Sequence, residues 1–197
     1  MPGLDHLPRR RIGLLGGSFN PAHEGHRHIS LEALKRLGLD EVWWLVAPQN
    51  PLKAAAGMGK LADRLAAAKA LVRHDKRIRV LDLEARLGTH FTADTLAALQ
   101  RRAPQTRFVW LMGADNLAQI RHWKDWPAIF ARVPIAVFAR PSYCRKALAG
   151  LAAQRFSRAR VMPGRRRFGA VEPPAWIFLP VKLDPHSATA IRSPRPS

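Results

Sequence analysis

Two histidines three residues apart, His23 and His26, follow a glycine pair, Gly16 and Gly17, in the stretch GGSFNPAHEGH. The apolar run IGLL comes directly before it, so the glycines stand where a strand ends and the histidines where a helix opens. Glycine lets a ligand come close to the backbone, and a helix N-terminus turns unsatisfied N–H groups and a positive dipole end toward the same place. A phosphate suits such a seat. On a first helical turn, side chains three apart share a face, so both imidazoles can donate N–H bonds to an anion held over the helix start. The alternative reading, histidines that only cap or pack, is the ordinary one for an isolated pair; the glycines and the position after the first strand weigh against it. The pattern is neither a GxGxxG fingerprint nor a P-loop, and Gly57-Met58-Gly59-Lys60 lacks the first glycine and the hydroxyl residue of the latter. HEGH also lacks the i, i+4 histidine spacing of an HExxH zinc site.

The elements that must position these residues alternate. Ile12–Gly16 reads as a first strand, His23–Leu37 as a helix and Glu41–Val46 as a second strand, followed by a loop over Pro48–Gly59. A helix from about Leu61 to His74, a strand at Ile78–Leu83, a helix at Thr92–Arg102 and a strand at Phe108–Met112 come next. The rest reads as a short helical stretch through Asn116–Arg132, a strand at Ile135–Ala139, a helix near Tyr143–Gln154, a Pro/Gly/Arg-rich stretch and a last strand at Trp176–Leu179. Near-continuous apolar strands alternating with helices predict an α/β fold, a doubly wound, Rossmann-like parallel sheet with helices on both faces, in a single domain. Ligands of such sheets sit beyond the carboxyl ends of the strands, and GGSFNPAHEGH, APQNPLK and GADN all follow strands.

At 197 residues and 47% hydrophobic content the chain has room for one sizeable core. Residues 1–10 read as an N-terminal extension, expected to be poorly ordered, before a domain over residues 11–197. The start MPGLDHLPRRR has no apolar h-region, and no apolar run reaches the length of a membrane span, so the expectation is a cytoplasmic protein without membrane contact. The lone Cys144 excludes an internal disulfide framework. A formal charge of +19 favours polyanionic partners: nucleic acid, phospholipid or phosphorylated metabolites. The arginines are spread along the chain with no aromatic interleaving, so nucleic acid is not the expected partner.

GGSFNPAHEGH resembles the GG(S/T)F(D/N)PxHxGH signature of the nucleotidyltransferase superfamily, and within it the bacterial nicotinate-nucleotide adenylyltransferases. The resemblance continues in order through PQNPLK, HFTADTL at His90–Leu96, MGADNLAQIRHWKDW at Met112–Trp126, ARPSY at Ala139–Tyr143 and HSATAIR at His186–Arg192. It implies transfer of the AMP moiety of ATP to nicotinate mononucleotide, giving deamido-NAD and pyrophosphate in NAD biosynthesis, with Mg2+ carried by the ATP phosphates. His23, His26 and Lys53 are then the catalytic group, holding phosphates. Gly16, Gly17, Ser18 and Phe19 line the nucleotide through their backbone, Asp115 takes a ribose hydroxyl, and Ser187, Thr189 and Arg192 face the β- and γ-phosphates. Asn20, Thr92, Trp123 and Arg140 belong to the mononucleotide side, Trp123 stacking on the pyridine ring. On local grounds alone Lys53 reads as a solvated loop lysine, Asp115 as a helix N-cap and Trp123 as core. Leu52, Ala188 and the early Pro194 depart from the family pattern near the phosphate-binding segments. Nicotinamide mononucleotide or phosphopantetheine as acceptor, and a catalytically silent nucleic-acid binder, are the competing readings.

Overall fold

Parallel strands fed by helices need near-continuous apolar runs, and those runs form the sheet. The computed structural model describes residues 9–48, 57–140, 142–164 and 168–181. The strands are β1 (Arg11–Gly17), β2 (Glu41–Val46), β3 (Ile78–Leu81), β4 (Arg107–Gly113), β5 (Ile135–Phe138), β6 (Arg160–Val161) and β7 (Trp176–Leu179). They lie in the order β3-β2-β1-β4-β5-β7-β6, and every pairing is parallel. The chain moves outward from β1 to β3, then returns to place β4 on the other side of β1. That reversal opens a crevice at the carboxyl ends of β1 and β4, the place where doubly wound sheets take ligands.

The helices are α1 (Glu24–Leu37), α2 (Leu61–Leu71), α3 (Leu83–Leu87), α4 (Thr92–Arg102), α5 (Ala114–Gln119), α6 (Trp126–Arg132), α7 (Cys144–Leu148) and α8 (Leu151–Arg155). Strand alternation divides the core into two layers. Leu15, Val42, Trp44, Val109, Leu111 and Phe138 pack with Ile29, Ala33, Leu34 and Leu37 of α1 and Ala68 of α2. On the opposite face Ile12, Leu14, Trp43, Trp110 and Val137 pack with Leu96 and Leu99 of α4, Leu117 of α5 and Phe130 of α6. Gly16 lies under the Trp110 ring, where a Cβ would stand 2.5 Å from Cη2, so only glycine lets that indole close over β1.

Several boundaries differ from the sequence reading. His23 is the N-cap of α1 rather than its first helical residue, and α2 stops at Leu71, short of His74. β3 ends at Leu81, and Leu83, read as strand, opens the unforeseen α3, which the left-handed Gly88 terminates. The helical stretch before Arg132 divides into α5, a 3-10 turn at Ile120–His122 and α6. The helix expected near Tyr143–Gln154 breaks because Gly150 adopts an extended conformation as N-cap of α8. β6, a two-residue pairing, was also unforeseen. β1 starts at Arg11, and the expectation about the N-terminal extension falls mostly on residues 1–8, outside the described residues.

Glu84 of α3 is 7% exposed, and burial pushes its carboxyl up to about 7. The folded protein therefore holds a proton that the unfolded chain releases near pH 4.5, so ionisation weakens the fold as pH rises from 4.5 to 7 and the full penalty applies above that. Glu84→Gln should be more stable than wild type at pH 8 by on the order of 3 kcal/mol, with the difference vanishing near pH 4. Urea denaturation of both proteins at the two pH values checks this.

Candidate active site

The turn after β1 is held from below by aromatic packing. Phe19 has a left-handed backbone (φ 46°), a conformation that costs a non-glycine residue energy and survives only where the surroundings impose it. Its ring is 1% exposed, stacked on Trp44 of β2 at 5.0 Å and tilted against His26 at 4.7 Å. Trp44 Nε1 donates to Ser30 Oγ at 2.7 Å, and the Ser30 hydroxyl donates to the His26 carbonyl at 2.9 Å. The first turn of α1 is thereby joined to the second strand. The side chain of Phe19 is spoken for by this packing, which leaves its backbone as the part able to face a ligand.

The His23 and His26 rings lie 3.8 Å apart at 38°. His26 is partly exposed, whereas His23 is 5% exposed, deeper than the expectation of two imidazoles reaching one anion suggested. The His23 backbone N–H donates to His26 Nδ1 at 3.3 Å, one half of a capping box with histidine in place of the usual Glu or Gln. An Nδ1 that accepts assigns the proton of the neutral ring to Nε2.

Two further side chains organise the same turn. Asn20 Nδ2 donates to the Gly57 carbonyl at 3.0 Å, and its Oδ1 accepts from the Gly59 N–H at 3.3 Å, so Asn20 grips the backbone leading into α2. Arg64 of α2, which the sequence did not single out, is 4% exposed and donates to four backbone carbonyls: Ser18 at 2.6 Å, Ala47 and Pro48 at 2.8 Å, and Gly59 at 2.9 Å. A helical arginine ordinarily reads as a solvated face, so its spacing gave no signal. Glu84 gave no signal because the sequence reading contains no helix where α3 stands, and an acid just past a strand reads as loop.

At the end of β4, Asp115 Oδ1 lies 3.2 Å from Arg140 Nε, pairing two residues that the resemblance assigns to different substrates. Gly113 makes room for them, since a Cβ there would stand 2.6 Å from that Nε. Gly113, not Asp115, is the N-cap of α5. Thr92, the first residue of α4, and Trp123 are both partly exposed, and Trp123 sets its ring edge-on to Trp110 at 6.4 Å. Lys124, next to Trp123, pairs with Asp94 at 3.2 Å and lies over the Phe91 ring at 4.6 Å, which ties the Trp123 segment to the start of α4.

Gly16, Gly17 and Ser18 stand partly exposed at the carboxyl end of β1. Lys53, Ser187, Thr189 and Arg192 lie outside the described residues. Among the described residues no three His, Cys, Asp or Glu side chains gather as a metal site, and no helix is long and apolar enough to cross a membrane. Two hollows outlined by described residues lie at the opposite, amino edge of the strands, around Thr106 and Arg132 and around Asp40 and Arg77. The parallel topology nonetheless delivers the histidines, Arg64, Asp115 and Arg140 to the carboxyl edge, and the chemistry follows the side chains.

The model of the cytidylyltransferase-like family matches residues 14–193. A protein of Cereibacter sphaeroides named "Probable nicotinate-nucleotide adenylyltransferase" is 55% identical over 182 residues, covering 92% of this chain and 96% of the relative. One of the same name from Parvibaculum lavamentivorans is 61% identical over 140 residues, covering 71% and 69%. Among solved structures, the Plasmodium falciparum nicotinic acid mononucleotide adenylyltransferase complexed with NaAD superposes with a TM-score of 0.69 at 16% identity, over 93% of this chain and 82% of that one, a likeness of fold. With the signature turn at the crevice between β1 and β4, the chain belongs to the nicotinate-nucleotide adenylyltransferase family of cytidylyltransferase-like proteins.

Proposed function

We propose that the protein joins ATP to nicotinate mononucleotide, forming nicotinate adenine dinucleotide and pyrophosphate, as a cytoplasmic step of NAD biosynthesis. The carrying observation is the His23/His26 turn, built into the carboxyl edge of β1 in a chain 55% identical to a relative named for this reaction. An oxygen of the mononucleotide phosphate attacks the α-phosphorus of ATP, and the bond to the bridging oxygen of the β-phosphate breaks. The attacking oxygen is already anionic and the leaving group is pyrophosphate, so no strong base or covalent nucleophile is needed. Positioning and charge stabilisation suffice. Magnesium, carried by the ATP phosphates, would offset part of their charge.

In this reading His26 Nε2–H donates to a phosphoryl oxygen on which charge builds, while His23, beneath it, braces the ring. Asp115 takes a ribose hydroxyl of the nucleotide, and its pairing with Arg140 couples the ATP side to the mononucleotide side. Thr92, on the helix to which Lys124 ties the Trp123 segment, and Trp123 serve the pyridine end. Lys53, Ser187, Thr189 and Arg192 keep the phosphate-binding roles that the family resemblance implies.

Pyrophosphate release measured with ATP and each of three acceptors tests the function. Nicotinate mononucleotide should exceed nicotinamide mononucleotide and phosphopantetheine in kcat/KM by roughly 10-fold or more, because an amide leaves donors meant for a carboxylate poorly paired. Turnover with phosphopantetheine alone would overturn the assignment. A second test addresses the His26 tautomer. The amide nitrogen of glutamine overlays Nε2, whereas asparagine reaches only as far as Nδ1. His26→Asn should lose roughly 100-fold or more in kcat, and His26→Gln should keep about ten times the activity of His26→Asn, with similar melting temperatures. Equal losses would remove Nε2 as the working donor.

A further inference from the structure

The Arg64 guanidinium is buried at a point where a carboxylate would ordinarily neutralise it, yet its partners are carbonyl oxygens from three segments. Ser18 belongs to the turn after β1, Ala47 and Pro48 to the exit of β2, and Gly59 to the approach to α2. Four of the five N–H donors of the side chain are engaged. Among the described residues no acid forms an ion pair with it, and burial alone lowers its pKa. A buried charge satisfied only by neutral dipoles still projects its field, and here the field falls on the turn that carries His23 and His26.

The geometry of the peptide bond adds direction to that field. In a trans peptide C=O and N–H point opposite ways, so holding the Ser18 carbonyl on the guanidinium at 2.6 Å turns the Phe19 N–H away from Arg64. The strained Phe19 backbone is therefore fixed from two sides, by its own buried ring and by the peptide that precedes it. Asn20 completes the attachment through Gly57 and Gly59, so the turn and the approach to α2 are joined by hydrogen bonds as well.

Resting on the adenylyltransferase reading, we propose that Arg64 is a positioning residue for adenylyl transfer: it presets the Ser18–Asn20 turn for the triphosphate of ATP and supplies unneutralised positive charge behind it. It touches backbone and not substrate, so its effect is on the nucleotide side of the reaction. A lysine keeps the charge but, with a compact ammonium, cannot span the four carbonyls of a planar fork.

Steady-state pyrophosphate release by Arg64→Lys and Arg64→Gln, with both substrates varied, tests this. The expected result is a rise in KM for ATP of roughly 10-fold or more, with a smaller rise for Lys than for Gln, while KM for nicotinate mononucleotide changes less than about 3-fold. A residue that merely supports the fold would lower the active fraction without splitting the two KM values, and that outcome overturns the proposal. If the Gln variant does not fold, the Lys variant and the wild type decide. In the wild type the Arg64 Nε–H signal in 15N NMR should be protected before any ligand is added and should shift with a non-hydrolysable ATP analogue but not with the mononucleotide. An unprotected signal, or one indifferent to the analogue, overturns it. Wild type that releases no pyrophosphate with any acceptor defeats the functional reading instead, whereas active wild type with unsplit KM values in the variants defeats only the role of Arg64.

Discussion

The burial of the Phe19 ring is the constraint on which the site depends. A non-glycine residue at φ 46° is held there by what surrounds it, and the surroundings are the Trp44 face on one side and the His26 ring on the other. Trp44 is in turn fixed by the Ser30 hydroxyl, which returns to the His26 carbonyl. A closed circuit thus runs from β1 through the turn to α1, across to β2 and back. Loops ordinarily owe their placement to a rigid scaffold. Here the scaffold reaches into the loop itself, and the histidines inherit the rigidity of the core layer formed by α1 and β2.

The same topology explains where part of the charge goes. In a parallel α/β sheet the helix C-termini and the strand N-termini gather on one edge. The chain places Lys35 and Arg36 in the last turn of α1, Arg101 and Arg102 in that of α4 and Arg132 in that of α6, where cations oppose the negative dipole ends. Others are met by acids: Arg11 by Asp40 at 2.8 Å and Arg27 by Asp75 at 2.6 Å. At the carboxyl edge the arrangement reverses. Helix N-termini point there, and Arg64 adds a cation held by carbonyls rather than by an acid. Both edges are basic for different physical reasons, and only the second places its charge where a triphosphate is proposed to sit.

The strands were legible because burial on both faces requires continuous apolar runs, and EVWWLV and WIFL match the observed β2 and β7 residue for residue. The turn after β1 was legible because a glycine pair closes an apolar run there and a helix opens beyond it, whereas the roles of its histidines rest on the family resemblance. What escaped the sequence has a common cause. Leu83 extends the alternation of IRVL by one apolar residue, so the strand was read past its end, although Gly88 marked the stop of a short helix. Arg64 sits in a helix whose spacing makes it look exposed, Glu84 in a short helix that the sequence reading does not contain, and only the fold reveals that each is buried. The pairing of Asp115 with Arg140 joins the end of β4 to the end of β5, a contact that no local pattern encodes.

Among the described residues the carboxyl edge holds its polar groups by fixing their orientation rather than by placing an acid or base to move a proton. His26 has its Nδ1 engaged by a backbone N–H, Asp115 leans on Arg140, and Arg64 is held by four carbonyls. Each group enters the reaction already oriented, with little reorganisation left when charge migrates from the attacking phosphate to the departing pyrophosphate. For a transfer between two polyanions this economy is physically apt: repulsion between the substrates is the main obstacle, and fixed dipoles and cations lower it without having to gain or lose a proton. The strain kept in Phe19 and the buried charge of Arg64 are both costs to the fold, and they coincide at the turn where pre-orientation has the greatest effect on the barrier.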